Sequence, residues 1–322
     1  MKFFTLLSIF FITFLQGAST LKVATYNVEN LFDLKKSGYE YKEYIPYTKA
    51  KWNKQNYKKK LNNIAKVIKD IDADIIALEE IESLEALKDL RFTLKQKGLY
   101  YKYYKIANAK TTTVKVALLS KYPFSSREIS VDYSYKFRNI LEAKFKIYNK
   151  EIYLFVNHWK SKSGAESMRI KSAKALVKRI KQIGYDKNII IVGDFNSHYE
   201  EYKTFKRKRK LNNTNGKTGI NHILQTIDGS SKQKLYNLWY DIPTSERFSY
   251  IYRGKKEALD NIIVSKAMLK HYKHHSIHSF KPHYLFFKHK YIYRWQMSRK
   301  RPRVHKGKGY SDHLAVVAEF KF

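Results

Sequence analysis

Along the chain, apolar residues recur with two periods, and the elements they predict are mostly strands with a few helices between them. Leu21-Lys-Val-Ala-Thr-Tyr26 alternates and is β-branched enough for a strand. Leu61, Ile64, Ala65 and Ile68 fall at helical spacing within residues 56–70, and a second helix is predicted over Leu84 to Lys97. Asp74-Ile-Ile-Ala-Leu78 is a short apolar run ending at Glu79-Glu80. Val114 to Ser120, Leu141 to Ile147 and Ile152 to Asn157 predict three further strands. Ser167 to Ile183 predicts a helix, with Ile170, Ala173, Leu176, Val177 and Ile180 on one face. The run 189–192, Leu259 to Val264 and Leu314 to Phe320 predict the last strands, with a mixed region over 199–257. Strands outnumber helices and do not alternate with them throughout, which points to a layered α/β fold built on sheets.

Two segments break this pattern. Lys203 to Lys217 is nearly all Lys, Arg, Asn and Thr, and His271 to Lys308 mixes Lys, Arg and His with Tyr, Phe and Trp295. Both read as long surface loops. No internal repeat or low-complexity linker divides the chain, so a single domain over 20–322 is expected. At the start, Lys2 precedes an apolar run from Phe3 to Phe14, followed by Gly17, Ala18 and Ser19. That order is the pattern of a secretory signal peptide, expected over 1–19, and the run is short for a membrane span. A secreted or periplasmic location follows, with an uncleaved anchor as the alternative.

Composition changes the picture in two ways. Among 322 residues, 64 Lys and Arg face 28 acids, a formal net charge of +36. Such an excess repels itself, and a polyanion relieves it: nucleic acid first, an anionic membrane surface second. A generally lysine-rich proteome would give the same composition without any such partner. There is also no cysteine. Disulfides, thiolate metal sites and a lipid-modified cysteine are thereby excluded, so a metal site must be built from oxygen and imidazole.

The candidate chemistry sits at predicted strand ends. Asn27, Glu80, Asp194, Asn196, Asp260 and Asp312 supply carboxylates and carboxamides, and His158 and His313 supply imidazoles. Any one of them alone reads more simply as a turn, cap or core residue. Together, carboxylates and imidazoles gathered in one cleft can bind a divalent metal and activate water beside a phosphate.

The motifs Thr25-Tyr-Asn-Val-Glu-Asn30, Leu78-Glu-Glu-Ile81, Asn157-His158-Trp159, Gly193-Asp-Phe-Asn196, Leu259-Asp-Asn-Ile262 and Ser311-Asp-His313 occur in this order. In that series the chain resembles the endonuclease/exonuclease/phosphatase superfamily with its DNase I-like fold, over residues 21 to 322. Within it, the opening Tyr26-Asn-Val-Glu-Asn-Leu-Phe-Asp33 is similar to that of bacterial secreted nucleases. The resemblance implies an α/β, four-layer sandwich of two packed mixed β-sheets flanked by helices. It implies that Glu80 is the principal Mg²⁺ ligand with Asn27 and Asp312 in support, and Mn²⁺ or Ca²⁺ as alternatives. Asp194 would orient or deprotonate the attacking water, and Asn196 would hold a phosphate oxygen. His313 would stabilise or protonate the phosphate, with Asp260 fixing its tautomer; His158 would be a second imidazole on the phosphate, and Arg138 a phosphate contact.

Two departures from the family pattern bear on these roles. Glu79 stands where Gln is common, an expected extra negative charge beside the metal. Lys115 stands near where some members carry an acid that partners the second histidine, so His158 is expected to lack a carboxylate.

The function expected is a secreted Mg²⁺-dependent nuclease, an endonuclease of low sequence specificity acting on DNA. One alternative is a phosphodiesterase or phosphatase of the same superfamily acting on phospholipid or phosphoinositide. Another is a non-catalytic nucleic-acid-binding protein on a nuclease scaffold, which the intact set of site residues argues against. Within 271–308, Lys and Arg are expected to neutralise phosphates while Tyr284, Tyr291, Tyr293 or Trp295 stack on bases.

Overall fold

Two six-stranded sheets lie face to face in the computed structural model, which describes residues 19–107, 112–133, 137–205, 210–288, 290–299 and 301–322. In chain order the strands are β1 (Thr20–Leu31), β2 (Ile75–Ile81), β3 (Tyr103–Ile106), β4 (Lys115–Ser120), β5 (Phe124–Ile129), β6 (Ile140–Ile147), β7 (Lys150–His158) and β8 (Asn188–Asp194). They continue with β9 (Leu235–Asn237), β10 (Tyr250–Tyr252), β11 (Lys255–Glu257), β12 (Asp260–Ser265), β13 (His278–Ser279), β14 (Phe286–Phe287), β15 (Tyr291–Ile292) and β16 (Val316–Lys321). The helices are α1 (Lys54–Ile71), α2 (Leu84–Gln96), α3 (Glu166–Ile183), α4 (Glu201–Thr204) and α5 (Lys266–Leu269). The expected signal peptide lies outside the described residues apart from Ser19.

One sheet runs β13-β16-β1-β2-β4-β3 and the other β5-β6-β7-β8-β12-β9; β10–β11 and β14–β15 are separate hairpins. Each sheet has one parallel pair, β1 with β2 and β7 with β8, and its remaining pairs are antiparallel.

The alternation read in the sequence accounts for the layers. Val23, Ile75, Ala77, Val116 and Leu118 face Leu141, Leu154, Val156, Ile190, Val192 and Ile262 across the middle of the sandwich. The opposite face of the first sheet, with Ala24, Tyr26, Ile76 and Leu78, packs under Leu61, Ile64, Ala65 and Ile68 of α1 and Leu87 and Leu90 of α2. Ile189, Ile191 and Ile263 on the outer face of the second sheet pack under Ala173, Leu176 and Ile180 of α3. The result is helix, sheet, sheet, helix, the four-layer α/β sandwich expected. Strands with both faces covered read as unbroken apolar runs, as 189–192 does. Local caps agree with the helix starts: Asn53 accepts from the Asn56 amide at 3.1 Å and Ser83 from that of Ala86 at 3.0 Å.

The segment 271–308 is not the surface loop its charge suggested. It contributes edge strand β13, and Ile277, Leu285, Trp295 and His305 are buried. Its many cations hide a sparse set of apolar anchors that carry no regular period. Trp295 therefore cannot stack on a base: it is 1% exposed, and its Nε1 donates to Nδ1 of His305 at 2.8 Å. Tyr291 is exposed, whereas the Tyr284 hydroxyl is tied to Asp70. In Lys203–Lys217, residues 206–209 lie outside the described set, and Phe205 and Leu211 anchor its flanks in the interior.

Candidate active site

Strand direction gathers the site at one end of the sandwich. The parallel pairs β1–β2 and β7–β8 bring their C-terminal residues to that end, and the antiparallel partners β12 and β16 bring the residues at or before their N-termini. Asn27, Glu80, His158, Asp194, Asp260 and the Asp312-His313 pair are thereby collected from both sheets. His158, Asp194 and Asp260 lie side by side in the register of β7, β8 and β12.

Two backbone irregularities aim the side chains. The register between β1 and β2 slips between Asn27 and Leu31, where Glu29 and Asn30 take φ of 52° and 61° and Glu80 takes φ of 67°. Such left-handed residues are uncommon without glycine, and here they swing Glu80 out of the strand's alternation. At Gly193, φ is 132° and a Cβ would stand 1.9 Å from the carbonyl oxygen of Asn157, so only glycine fits beside β7.

Asp194 is the hub. Its Oδ1 accepts from the Asn196 amide at 2.8 Å, and its Oδ2 accepts from Nδ2 of Asn27 and Nδ2 of Asn196, each at 3.1 Å. His158 Nε2 lies 3.5 Å from the same Oδ2 and 3.9 Å from Glu80 Oε1, to which Asn27 Nδ2 also donates at 3.3 Å. His313 Nδ1 meets Asp260 Oδ2 at 2.7 Å, both buried, and Ser249 Oγ donates to the same oxygen at 2.5 Å. The Ser311 hydroxyl ties the preceding turn to the Asn27 carbonyl at 2.6 Å. Above these groups opens a cleft of about 1020 Å³, walled by Glu80, Arg138, His158, Asp194, Asn196, Asp312 and His313, with Tyr41, Lys162, Lys210, Tyr250 and Tyr252 farther out.

Burial and mutual charge set the protonation states. Asp194 is pushed up to about 7, by burial first and then by Asp260, with His313 opposing. Glu80 is raised by burial and by Asp312. Burial disfavours a charged His313, but Asp260, with Asp194 and Asp312, outweighs it and holds the ring well above the ordinary histidine value. His158 goes the other way: burial, Arg138 and His313 hold it well below that value, so it is neutral. The two imidazoles are thus shifted in opposite directions, His313 toward its charged form and His158 toward its neutral one.

All nine residues singled out in the sequence meet at this end of the fold. Among the described residues His158 Nδ1 is buried with no hydrogen-bond partner, although its Nε2 faces the carboxylates of Asp194 and Glu80, while Lys115 is turned away and donates to the Glu82 carbonyl at 2.6 Å. Both amide hydrogens of Asn196 are engaged, by Asp194 and by the Trp159 carbonyl at 3.2 Å, so a phosphate contact there requires one bond to be exchanged. Arg138 bonds the Tyr41 side chain and reaches the Trp159 carbonyl through Nη1 at 3.4 Å, and among the described residues its Nε has no partner. Glu79 corrects an expectation. It lies fully buried on the inter-sheet face, accepts from Thr25 Oγ1 at 2.8 Å, and is driven toward its neutral form by burial and by Asp260. It therefore belongs to the inter-sheet layer and is not among the residues walling the cleft.

Several contributors were not legible in the sequence. Arg294 bridges Glu29, through Nε at 2.9 Å, and Asp312, through Nη2 at 3.2 Å. Glu29 also accepts from the Trp295 amide at 3.0 Å, and its own amide donates to Asn27 Oδ1 at 3.0 Å. The ring of Tyr250 packs 4.8 Å from that of His313. Glu29 lies inside a quoted motif, but nothing local marks Arg294 or Tyr250, whose partners are far away in the chain, and Ser249 lies in a mixed region with no motif of its own.

The donor set fits a hard divalent cation. Glu80 and Asp312 open into the cleft close enough for the charge of Asp312 to raise Glu80, a repulsion that a cation relieves. Among the described residues, Asp194, Asp260 and His313 also bring ligand-type atoms within 4.8 Å of one another. The shortest contact in that group is the Asp260–His313 hydrogen bond itself, with Ser249 already on the shared oxygen, so hydrogen bonding accounts for the cluster.

The sequence pattern described as the Endonuclease/Exonuclease/phosphatase family matches residues 22–321. No curated protein matches the chain in sequence. Among solved structures, an AP endonuclease from Archaeoglobus fulgidus is similar at a TM-score of 0.59 and 16% identity, covering 93% of this chain and 99% of its own. TDP2 of D. rerio, complexed with a single-strand DNA product, is similar at 0.56 and 14%, covering 94% and 100%. A mannosyl-6-phosphatase from Bacteroides thetaiotaomicron is similar at 0.55 and 16%, also covering 94% and 100%. At these identities the likeness is one of fold.

Proposed function

The chain belongs to the endonuclease/exonuclease/phosphatase family, and on that premise we propose that it is a secreted or periplasmic, Mg²⁺-dependent nuclease that hydrolyses DNA phosphodiesters within the strand, with little sequence preference. The observation that carries the reading is the pairing, across one cleft, of a fixed carboxylate acceptor, Asp194, with a charged imidazole, His313, held by Asp260. Phosphoester hydrolysis needs both: a group to take the proton of water and a cation to meet the charge that develops on the phosphate.

Each residue has a part that its geometry allows. Asn27, Asn196 and the Asn196 amide fix both oxygens of Asp194, which receives the proton of the attacking water. His313 faces the same cleft as a hydrogen-bond donor to the phosphate or the leaving oxygen. His158, which burial and neighbouring cations disfavour in its charged form, and Arg138 supply further donors to the cleft. Glu80 and Asp312, with Asn27 in support, would hold the metal, which when bound supplies Lewis-acid neutralisation of the phosphate. The catalysis asked of the protein is mainly positioning and charge compensation.

DNA as the substrate is supported by the formal charge of +36 and by Lys210 and Arg138 in the cleft wall. The AP endonuclease and the DNA-product complex among the similar structures are consistent with a nucleic acid there. The sugar phosphatase among them keeps a small phosphomonoester open as a second reading. A substrate panel tests the proposal: plasmid, single-stranded DNA, RNA, a hexose 6-phosphate and phosphoinositide vesicles, each with Mg²⁺. DNA should be cleaved with the highest kcat/KM. Preferential release of inorganic phosphate from the sugar, or turnover only on vesicles, overturns it.

A further inference from the structure

Beside the catalytic cleft lies a second cavity of about 660 Å³ lined by Lys42, Lys49, Arg301 and Arg303, with Glu43 as the acid among its lining residues. Among the described residues, no carboxylate pairs with any of the four cations. They come from two segments more than 250 residues apart in sequence, which a fold brings together only by holding both.

The hold is His305. Its Nε2 lies 2.8 Å from the Glu43 carbonyl, and its backbone amide donates to the Ala50 carbonyl at 2.9 Å. Its ring packs against Tyr44 and Trp52, each at 4.8 Å between centroids, and its Nδ1 accepts from Trp295. The four cations therefore stand on a buried aromatic cluster instead of on free loops. Concentrating like charge in this way destabilises the folded protein, and a bound polyanion relieves it.

The cavity adjoins the active site through consecutive residues of one segment. Tyr41 lines the cleft, where it feels the charges of Arg138 and Glu80, and the next two residues line the second cavity. Adjacent Cα atoms are about 3.8 Å apart and phosphates along one DNA strand about 3.4 Å apart in axial rise. A strand leaving the cleft past Tyr41 thus meets Lys42, the first of these cations, at the next residue of the same segment.

We infer that Lys42, Lys49, Arg301 and Arg303 form a phosphate-binding exosite that holds the nucleic-acid strand beyond the scissile bond. It makes the enzyme favour polymers over short fragments. The inference rests on the nucleic-acid reading of the adjacent cleft, but it is tested by binding, not by cleavage.

The experiment uses the full chain carrying D194N, in EDTA, with fluorescent single-stranded DNA as a dinucleotide and as a dodecanucleotide. The variant K42Q/K49Q/R301Q/R303Q is compared with the charge-preserving K42R/K49R/R301K/R303K. The neutral variant should bind the dodecanucleotide at least about tenfold more weakly, because each lost phosphate contact removes about 0.7 from the log-log salt slope. The slope should fall by about 2–3 for four contacts. The charge-preserving variant should bind like the parent, and the dinucleotide should be indifferent to both. An unchanged slope, an equal loss for both oligonucleotides, or no binding of the longer one by the parent overturns the exosite. So does a neutral variant that keeps its DNA affinity and loses only binding to phosphatidylserine vesicles. If the parent binds as predicted but wild-type enzyme cleaves no DNA, the nuclease reading fails and the exosite stands.

Discussion

Asp260→Asn isolates what the carboxylate under His313 does. The substitution keeps the side chain's shape and its contact with Ser249, and removes the charge from a 2.7 Å hydrogen bond between two buried groups. A hydrogen bond to a charged group has a net worth of about 1.5–3 kcal/mol. At about 1.4 kcal/mol per tenfold in rate, kcat should fall roughly 10- to 150-fold if that bond strengthens the imidazolium in the transition state. His313→Ala, which removes the donor itself, should cost about 10²–10⁴. The pH profile separates orientation from charge. His313 is raised by Asp260 against the lowering effect of burial. Without the carboxylate the lowering dominates, so the alkaline limb of kcat/KM should move to lower pH. The same raised value contributes folding stability that is complete below about 6.5 and lost as pH rises through the folded-state value, so thermal melts of D260N should show less loss over that window. The assay is steady-state cleavage of a fluorescent DNA duplex, with melts to confirm folding. The reasoning is refuted if D260N loses as much as H313A, if the alkaline limb does not move, or if D260N/H313A is much slower than H313A alone.

Four other outcomes follow from the same geometry. Glu80→Gln should lower Mg²⁺ or Mn²⁺ affinity, read by isothermal titration, at least about tenfold, since it removes a charged oxygen ligand while leaving the fold intact. The acid limb of kcat/KM should lie near the value of about 7 to which Asp194 is pushed, because the base must be ionised, and rising metal concentration should move that limb to lower pH. His158→Ala should cost less than His313→Ala, because the neutral, Nδ1-unpartnered ring of His158 carries no charge to the phosphate; equal losses would show otherwise. Protein recovered from the periplasm or medium should begin near residues 18–20 on N-terminal sequencing, and a chain still starting at Met1 in the membrane fraction would favour an anchor.

The sandwich was readable because its central strands are buried on both faces and its helices on one, so 189–192 stands out as an unbroken apolar run and Ile170–Ile180 carries a helical period. β3, β5 and β9 were not, being edge strands or short ones with partly exposed faces. The site was readable where its residues sit at the end or start of a strand, as at Glu80, Asp194 and Asp260. It was opaque where function depends on distant pairing, as where Arg294 reaches Glu29 across 265 residues. Charge misled in both directions. The basic segment 271–308 hid Trp295 and His305 as core anchors, and Glu79, counted as an anion, is buried toward neutrality.

The central claim is metal-dependent hydrolysis of DNA at the Asp194–His313 centre. Conversion of supercoiled plasmid to nicked circles tests it most directly, with wild-type protein in Mg²⁺, wild-type protein in EDTA, and D194N in Mg²⁺ run side by side. The account predicts nicking in the first, none in the second, and a rate lowered by about 10²–10⁴ in the third with DNA binding retained. Nicking that persists undiminished in EDTA, or in D194N, contradicts it.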